Sequence, residues 1–244
     1  MTIDSSIDQR VSLAVSTVIF ALRPHPSSGL MTLWLPLVRR IREPYQGHWA
    51  LPGGPLEADE DLAASASHTL LRTTGLTPNY LEQLYAFGAV DRSHVGSTDE
   101  RHHDRVVSIV YWALVQADEA AAAIDGDNVE WFVADDLSPL AFDHSRVVEY
   151  ALWRLRTKME YSLIAQAFLG ETFTLTDLRE VHEAVLRKPL DPANFRRQVL
   201  GSGAIEPTGR CVTGTSHRPP ALYRHSTDLQ LADHGPLTHH EERR

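Results

Sequence analysis

Gly47–Leu76, GHWALPGGPLEADEDLAASASHTLLRTTGL, is the stretch from which the rest of the chain is read. Trp49–Leu51 reads as a short strand, Pro52-Gly53-Gly54 as a tight turn, and the acidic residues that follow as the lead-in to a helix. Asp59 is the expected N-cap, with Glu60 and Asp61 in the first turn, where the helix dipole favours negative charge. Leu62, Ala63, Ala66 and Leu70 recur at helical spacing, and Gly75 stops the helix. A Gly-Gly loop feeding a helix N-terminus suits a phosphate, because unpaired backbone N–H groups point outward there. Pro52, Gly53 and Gly54 are therefore expected to contact a ligand.

The stretch resembles a Nudix box, G-x5-E-x7-R-E-U-x-E-E-x-G-U with U apolar. Gly54, Glu60, Leu70, Gly75 and Leu76 fall on that pattern, behind the usual Leu51-Pro52-Gly53-Gly54. The chain departs from it where the chemistry would sit: His68-Thr69 replaces Arg-Glu, and Arg72-Thr73 replaces Glu-Glu. In active members the helix glutamates hold Mg²⁺ against a diphosphate, and Mg²⁺ needs hard oxygen ligands. Thr69 and Thr73 offer neutral hydroxyls, and Arg72 brings positive charge to the place of a dication. Glu57, Asp59, Glu60 and Asp61 all lie upstream. The expectation is a pocket that binds a nucleoside diphosphate without hydrolysing it, with no catalytic residue, no metal ligand and no use for Mg²⁺. An ordinary amphipathic helix after a turn explains the helix but not the fixed points.

The totals bound the reading. At 244 residues and 43% apolar, the chain accommodates one large or two modest globular domains. No apolar run approaches the roughly 20 residues that span a bilayer. The polar N-terminus MTIDSSIDQR has neither the signal-peptide nor the transit-peptide pattern. The single Cys211 excludes an internal disulfide and fits a reducing, cytoplasmic setting. A net charge of −9 argues against indiscriminate nucleic-acid binding, yet residues 187–224 carry seven Lys/Arg against Asp191 and Glu206. A local basic patch on an acidic protein points to a confined anionic partner.

Around the box the chain alternates strand and turn. Val11–Leu22 and Leu30–Val38 read as strands, the second with an edge or bulge at Pro36. Leu81–Val90, Arg105–Val115 and Val129–Val133 read as three more, separated by the polar loop Asp91–Asp104 and the Ala-rich Asp118–Ile124. From about His144 to Lys158 a helix buries Val147, Val148, Ala151, Leu152 and Leu155. Arg40, beside the Gly-Gly turn, is either a ligand contact or a solvated charge. Arg105 opens a strand after the polar loop and is a second contact for phosphate or ribose. Trp49 either stacks on a base or sits in the core.

After Lys158 the alternation ends. Tyr161–Phe168 reads as a helix closed by Gly170, and a second helix starts at Thr174 or Thr176, with Leu178, Val181, Val185 and Leu186 inward. Asp191-Pro192 opens a third, Asp at the cap and Pro at N1, which ends at Gly201. Ile205–Gly209 and Ala221–His225 then form a hairpin around a basic loop. Three short helices and a hairpin make a winged helix-turn-helix, with Asn194, Arg196 and Arg197 on the reading helix and Arg210 and Arg218 on the wing. Thr174, Thr176 and Lys188 complete the expected DNA-facing set. The fold class is thus α+β: a Nudix-like α/β/α sandwich over 1–158, a winged helix-turn-helix over 159–226 and a tail over 227–244.

The order of an eroded Nudix box, LAFDH, FTLTDLREVHEAV, NFRR and RPPALYR resembles the Nudix-related transcriptional regulators of NAD metabolism (the NrtR family). That resemblance implies a homodimeric repressor that binds an operator in double-stranded DNA upstream of NAD genes and releases it when ADP-ribose, its effector, occupies the Nudix-like domain. It also places Lys188, Asn194, Arg196, Arg197 and Arg218 at the DNA; the helix 143–158 that links the two parts is the expected lever between ligand and DNA. The insertion after Asp91-Arg92-Ser93 departs from the family's short Arg-Asp-Pro-Arg-Gly loop. Two rival readings stand beside it. One is an active hydrolase drawing metal ligands from Glu57, Glu60 and Asp99 or Asp104. The other is a ligand-binding protein whose C-terminal part only dimerises.

Overall fold

The computed structural model describes residues 11–77, 80–93, 105–116, 119–120, 128–161, 164–213 and 219–226. The expectations placed on residues 94–104, on most of Asp118–Ile124, on Arg218 and on the tail fall outside them.

Two β-branched runs set the architecture. Strand β1 (Val11–Pro24) and strand β6 (Arg105–Val115) pair in parallel, from Val11 opposite Arg105 to Ala21 opposite Val115. Parallel neighbours are covered on both faces, so both strands are apolar at successive positions rather than alternate ones. Val18, Phe20 and Leu22 point to one layer with Val110, Trp112 and Leu114, while Val15, Ile19 and Ala21 point to the other. Strands β2 (Met31–Arg39), β3 (Trp49–Ala50), β4 (Gly53–Pro55), β5 (Tyr80–Phe87) and β7 (Val129–Val133) complete a seven-stranded sheet. Its path is β3-β2-β1-β6-β5, with β4 laid on β1 and β7 on β2. Helix α1 (Leu62–Thr74) covers one face and helix α2 (His144–Tyr161) the other, which is the expected α/β/α sandwich.

Several boundaries differ from the sequence reading. The cap of α1 is Asp61, whose carboxylate accepts from Ala64 N at 2.7 Å; Asp59 lies before it. The buried face of α1 is Ser65, Ala66, Thr69, Leu70, Thr73 and Thr74, and Ala63 is exposed. The Gly-Gly turn does not feed the helix directly. Gly53 and Gly54 pair with Ser16 and Val15 of β1, so closely that a Cβ on Gly53 would stand 2.5 Å from the Val15 carbonyl oxygen. Glycine there answers to the approach of two backbones. Pro36 makes no bulge: it stands in register opposite Trp131, beyond the last β1 partner at Trp34. Strand β5 ends at Phe87 rather than Val90.

After α2 the chain makes a 3₁₀ turn, Ile164–Phe168, where an α-helix was expected from Tyr161. Helices α3 (Leu175–Leu186) and α4 (Pro192–Ser202) follow, then strands β8 (Ile205–Cys211) and β9 (Ala221–His225). Thr174 caps α3 in a reciprocal capping box with Asp177, and Asp191 with Pro192 opens α4 as its sequence requires. Helix α4 closes at Gly203, in the left-handed conformation, two residues beyond the expected stop. Phe173 bridges to Tyr223 and adds a third segment to the wing. The result is a winged helix-turn-helix.

A single buried apolar cluster runs from Phe20, Leu35 and Trp112 of the sheet through Val148 and Leu155 of α2 to Leu178, Val185, Phe195 and Tyr223 of the winged helix. Leu155 is fully buried at its middle. Leu155→Ala is expected to cost roughly 2–5 kcal/mol. Both parts should then lose stability together in a denaturant titration, read by tryptophan fluorescence and by helical circular dichroism. Separate transitions would show two independent cores.

Candidate ligand cavity and nucleic-acid interface

The eroded positions of α1, His68, Thr69, Arg72 and Thr73, present no carboxylate. Thr69 and Thr73 are buried, and Thr73 Oγ1 donates to the Thr69 carbonyl at 2.7 Å. Glu60 is taken by His68, Nδ1 to Oε1 2.5 Å. No group of three His, Cys, Asp or Glu residues converges as metal ligands among the described residues. The donor set presented here, two hydroxyls and a guanidinium, does not fit Mg²⁺.

What the same region offers is positive charge. A cavity of about 360 Å³ opens between the end of β2, the β3–β4 turn and the last turn of α1. Arg39, Arg40, Arg42 and Arg72 line it, together with Gly53, Thr73 and Val129, and no carboxylate does. Two of these arginines are fixed by the loop they flank. Arg40 N donates to His48 O and Gly47 N to Arg40 O, closing a hairpin whose carbonyls hold Arg39 Nε (Gly47 O, 3.3 Å) and Arg40 Nε (Pro44 O, 2.7 Å). Burial lowers the Arg40 pKa from its ordinary value, and Glu43 partly opposes that. A desolvated cation in a carboxylate-free hollow favours an anion beside it.

Of the expected ligand contacts, Arg40 and Gly53 line this cavity, and Trp49 lines the one adjoining it. Pro52 and Gly54 flank the turn without lining either cavity; the Pro52 carbonyl accepts from Thr17 N at 2.9 Å. Arg105 is remote. It sits opposite Val11, four positions along β1 from the partner of Gly54, about 13 Å at strand rise, and donates to Gly88 O. Arg39, Arg42 and Arg72 line the cavity too, and none of them is among the expected contacts. Three arginines within four residues were the available signal.

The stretch Leu140–His144 is stitched to the floor of the site. Ala141 N donates to Trp49 O (2.8 Å), and Leu51 N donates to His144 Nδ1 (2.9 Å). The Arg40 guanidinium lies 4.6 Å from the Phe142 ring centroid, and Phe142 holds φ at 56°, a costly conformation for a bulky side chain. Asp143 receives both Arg92 Nε and Nη2, at 2.9 and 2.7 Å. His144 is therefore neutral, its proton on Nε2. Burial lowers its pKa to about 4, helped by Arg92 and Arg40 and opposed by Asp143.

On the winged helix, Asn194, Arg196 and Arg197 are exposed on α4, and Arg197 Nη2 donates to Asn194 Oδ1 at 2.8 Å. Lys188, Arg210 and Thr176 are exposed as well. Thr174 is withdrawn from the surface, its hydroxyl oxygen accepting from Asp177 N. Arg224 is paired across the hairpin with Glu206 at 2.7 Å.

Comparison with known proteins adds to this geometry. Residues 18–151 match the NUDIX domain, and residues 165–225 match the NrtR DNA-binding winged helix domain. The chain is 33% identical over 193 residues to an ADPR responsive transcriptional repressor of Acinetobacter baylyi, covering 77% of this chain and 74% of that one. It is also 33% identical over 119 residues to an ADP-ribose pyrophosphatase of Methanocaldococcus jannaschii, covering 48% of this chain and 66% of that enzyme. Among solved structures it is similar to Shewanella oneidensis NrtR complexed with a 27mer DNA. The TM-score is 0.69 and the identity 33%, over 87% of this chain and 93% of the other.

The buried His144 gives a pH dependence with a defined sign. An unfolded histidine takes up a proton near pH 6.5, whereas the folded one resists until about pH 4. Its contribution to stability is complete above pH 6.5 and is lost as pH falls towards 4, on the order of 3 kcal/mol in all. His144→Asn has no such proton to gain. Its unfolding free energy should therefore fall less steeply than the wild type's across that window. Parallel curves would remove His144 as the cause.

Proposed function

We propose a function from one premise, that the chain belongs to the NrtR family, in which a Nudix domain carries a C-terminal DNA-binding winged helix. It acts as a transcriptional repressor of NAD biosynthesis or salvage genes and leaves its operator when ADP-ribose binds. Residues 1–158 form the effector-binding part and 159–226 the DNA-reading part, working as a homodimer in the compartment that holds the DNA, the cytoplasm. Among the described residues no helix is long and apolar enough to cross a membrane.

The observation that carries the reading is the cavity lined by Arg39, Arg40, Arg42 and Arg72 beside helix positions that hold threonine. In a hydrolase a dication neutralises the diphosphate and activates water. Here guanidinium groups take over the first task, and nothing on α1 performs the second. Binding without turnover is what an effector site needs. The likeness to an ADP-ribose pyrophosphatase favours the runner-up, a working hydrolase with an accessory domain, and AMP formation from ADP-ribose with Mg²⁺ would decide for it.

DNA is read by α4, with Asn194, Arg196 and Arg197 towards base edges and phosphates and Lys188 and Arg210 on the flanking backbone. Two connections carry the ligand's effect to it. One is the Leu140–His144 junction at the head of α2. The other starts from β7, whose first residue, Val129, lines the arginine cavity. Just past its last, Asp135 grips Arg156 of α2 through both oxygens (2.7 and 2.8 Å). Arg156 Nε in turn holds the Val185 carbonyl near the end of α3, and Arg187, 3.6 Å from Asp135, is the left-handed C-cap that turns the chain towards α4. A ligand that shifts β7 or α2 alters the pose of the reading helix, and paired half-sites tolerate little mismatch.

Arg72→Glu should weaken ADP-ribose binding at least about tenfold by calorimetry, because each charge-assisted hydrogen bond contributes on the order of 1.5–3 kcal/mol. A chelator should leave wild-type binding unchanged. Chelator-sensitive binding would return the site to metal chemistry. Asp135→Asn separates ligand from response: ADP-ribose binds with wild-type affinity, but more of it is needed to release operator DNA in a mobility-shift titration. Identical release curves would exclude the Asp135 connection.

A further inference from the structure

The reading helix α4 is anchored by few side chains. Between Pro192 and Ser202 Phe195 alone is buried; Val199 is half-buried and the other residues are exposed. The seat of Phe195 therefore sets the direction in which Asn194, Arg196 and Arg197 point. That seat includes an ionisable ring. His182 of α3 meets the Phe195 ring edge to face, with centroids 5.2 Å apart and planes at 66°. Its Nδ1 lies 2.8 Å from the Leu178 carbonyl oxygen, one turn back. A carbonyl oxygen accepts and does not donate, so Nδ1 carries the proton of the neutral ring and Nε2 carries none. On the wing, His225 at the end of β9 packs on Phe173, ring centroids 4.7 Å apart, and a charge on His182 disfavours one on His225.

A charged ring at this half-buried position loses hydration and gains no carboxylate in exchange. On α3 the neighbouring charges are Arg179 and Glu183, joined at 3.0 Å, and Glu183 also accepts from Leu190 N at 2.7 Å. On α4 they are the exposed Arg196 and Arg197, and on the wing His225 with the Arg224–Glu206 pair at 2.7 Å. None of them offsets burial, which lowers the His182 pKa against the opposing Leu178 carbonyl and lowers that of His225 as well. We infer that His182 is a positioning residue for DNA reading: its neutral ring seats Phe195, and α4 keeps its DNA-binding pose while that ring is uncharged. It acts through Phe195 rather than on DNA. The inference rests on the repressor reading above and adds to it a dependence of operator affinity on pH. The sign is the reverse of the ordinary one, in which acid makes a protein more cationic and tightens its hold on phosphates. Because the folded pKa is lowered, the contribution is complete above about pH 6.5 and is lost as pH falls below it.

The test is fluorescence anisotropy of the full-length protein with a duplex from the DNA upstream of NAD genes, at fixed salt. It is run one pH unit above and one below the ordinary histidine pKa, with an unrelated duplex of equal length as control. Wild type should lose operator affinity at the lower pH, by up to about tenfold for one histidine, while the unrelated duplex binds as well or better. His182→Asn, whose amide can still donate to the Leu178 carbonyl, should bind operator nearly as wild type does at the higher pH and lose nothing at the lower. A second measurement needs no variant: the His182 ring signal in NMR should titrate at lower pH with operator bound than without, by linkage. If acid changes operator affinity alike in wild type and His182→Asn, and operator leaves the His182 titration where it was, the inference is overturned and the repressor reading stands. If wild type does not distinguish the operator from the unrelated duplex at either pH, the repressor reading falls first, and this inference with it.

Discussion

Everything in this molecule is arranged around the parallel pairing of β1 with β6, which leaves two strands that must be covered on both faces. Helix α1 covers one face. The other is covered by α2 and, through the same buried cluster, by the winged helix itself: Leu178, Val181 and Val185 of α3 belong to the core that contains Phe20, Leu35 and Trp112. Removing the DNA-reading part would expose that apolar surface to water. The two parts are joined by the hydrophobic effect as much as by the chain, so a change in one is transmitted by packing rather than by a tether.

The second constraint is electrostatic. A carboxylate on the buried face of α1 would need a cation to remain ionised there. With Thr69 and Thr73 the face is buried without one, and the Thr73 and Thr74 hydroxyls bond back to the carbonyls of Thr69 and Leu70 in their own helix. The positive charge beside this face comes from side chains. Arginine suits that role because its guanidinium stays charged and offers a planar fork to oxygen atoms. Arg72 thus stands where the Nudix pattern has glutamate and lines the same cavity that Arg39, Arg40 and Arg42 reach from the opposite wall.

Between the cavity and the reading helix run two mechanical links of different character. The Leu140–His144 junction is made of hydrogen bonds between Trp49 and Leu51, beside the cavity, and the start of α2, with Phe142 held in a left-handed conformation. The Asp135 clasp is ionic and ends at the turn between α3 and α4. Helix α2 takes part in both. In the proposed mechanism a small displacement at the cavity is expressed as a rotation of α2 against the sheet, with α4 carried along.

The sequence alone determined whatever depends on local pattern or on residue chemistry. Runs rich in β-branched and aromatic residues gave the extents of β6 and β7. Asp191-Pro192 gave the start of α4, and the Thr174–Asp177 spacing gave the cap of α3. Thr69, Arg72 and Thr73 gave the departure from the Nudix pattern, a pair of hydroxyls and a guanidinium where that pattern has Glu, Glu and Glu. Tertiary structure alone decided which of three nearby acids caps α1, why Gly53 must be glycine, and which arginines share a cavity. It also joined Leu51 to His144 across 93 residues and Asp135 to Arg156 and Val185. Periodicity and propensity describe neighbours along the chain, whereas these contacts exist only once the sheet has closed and brought distant turns to the same edge.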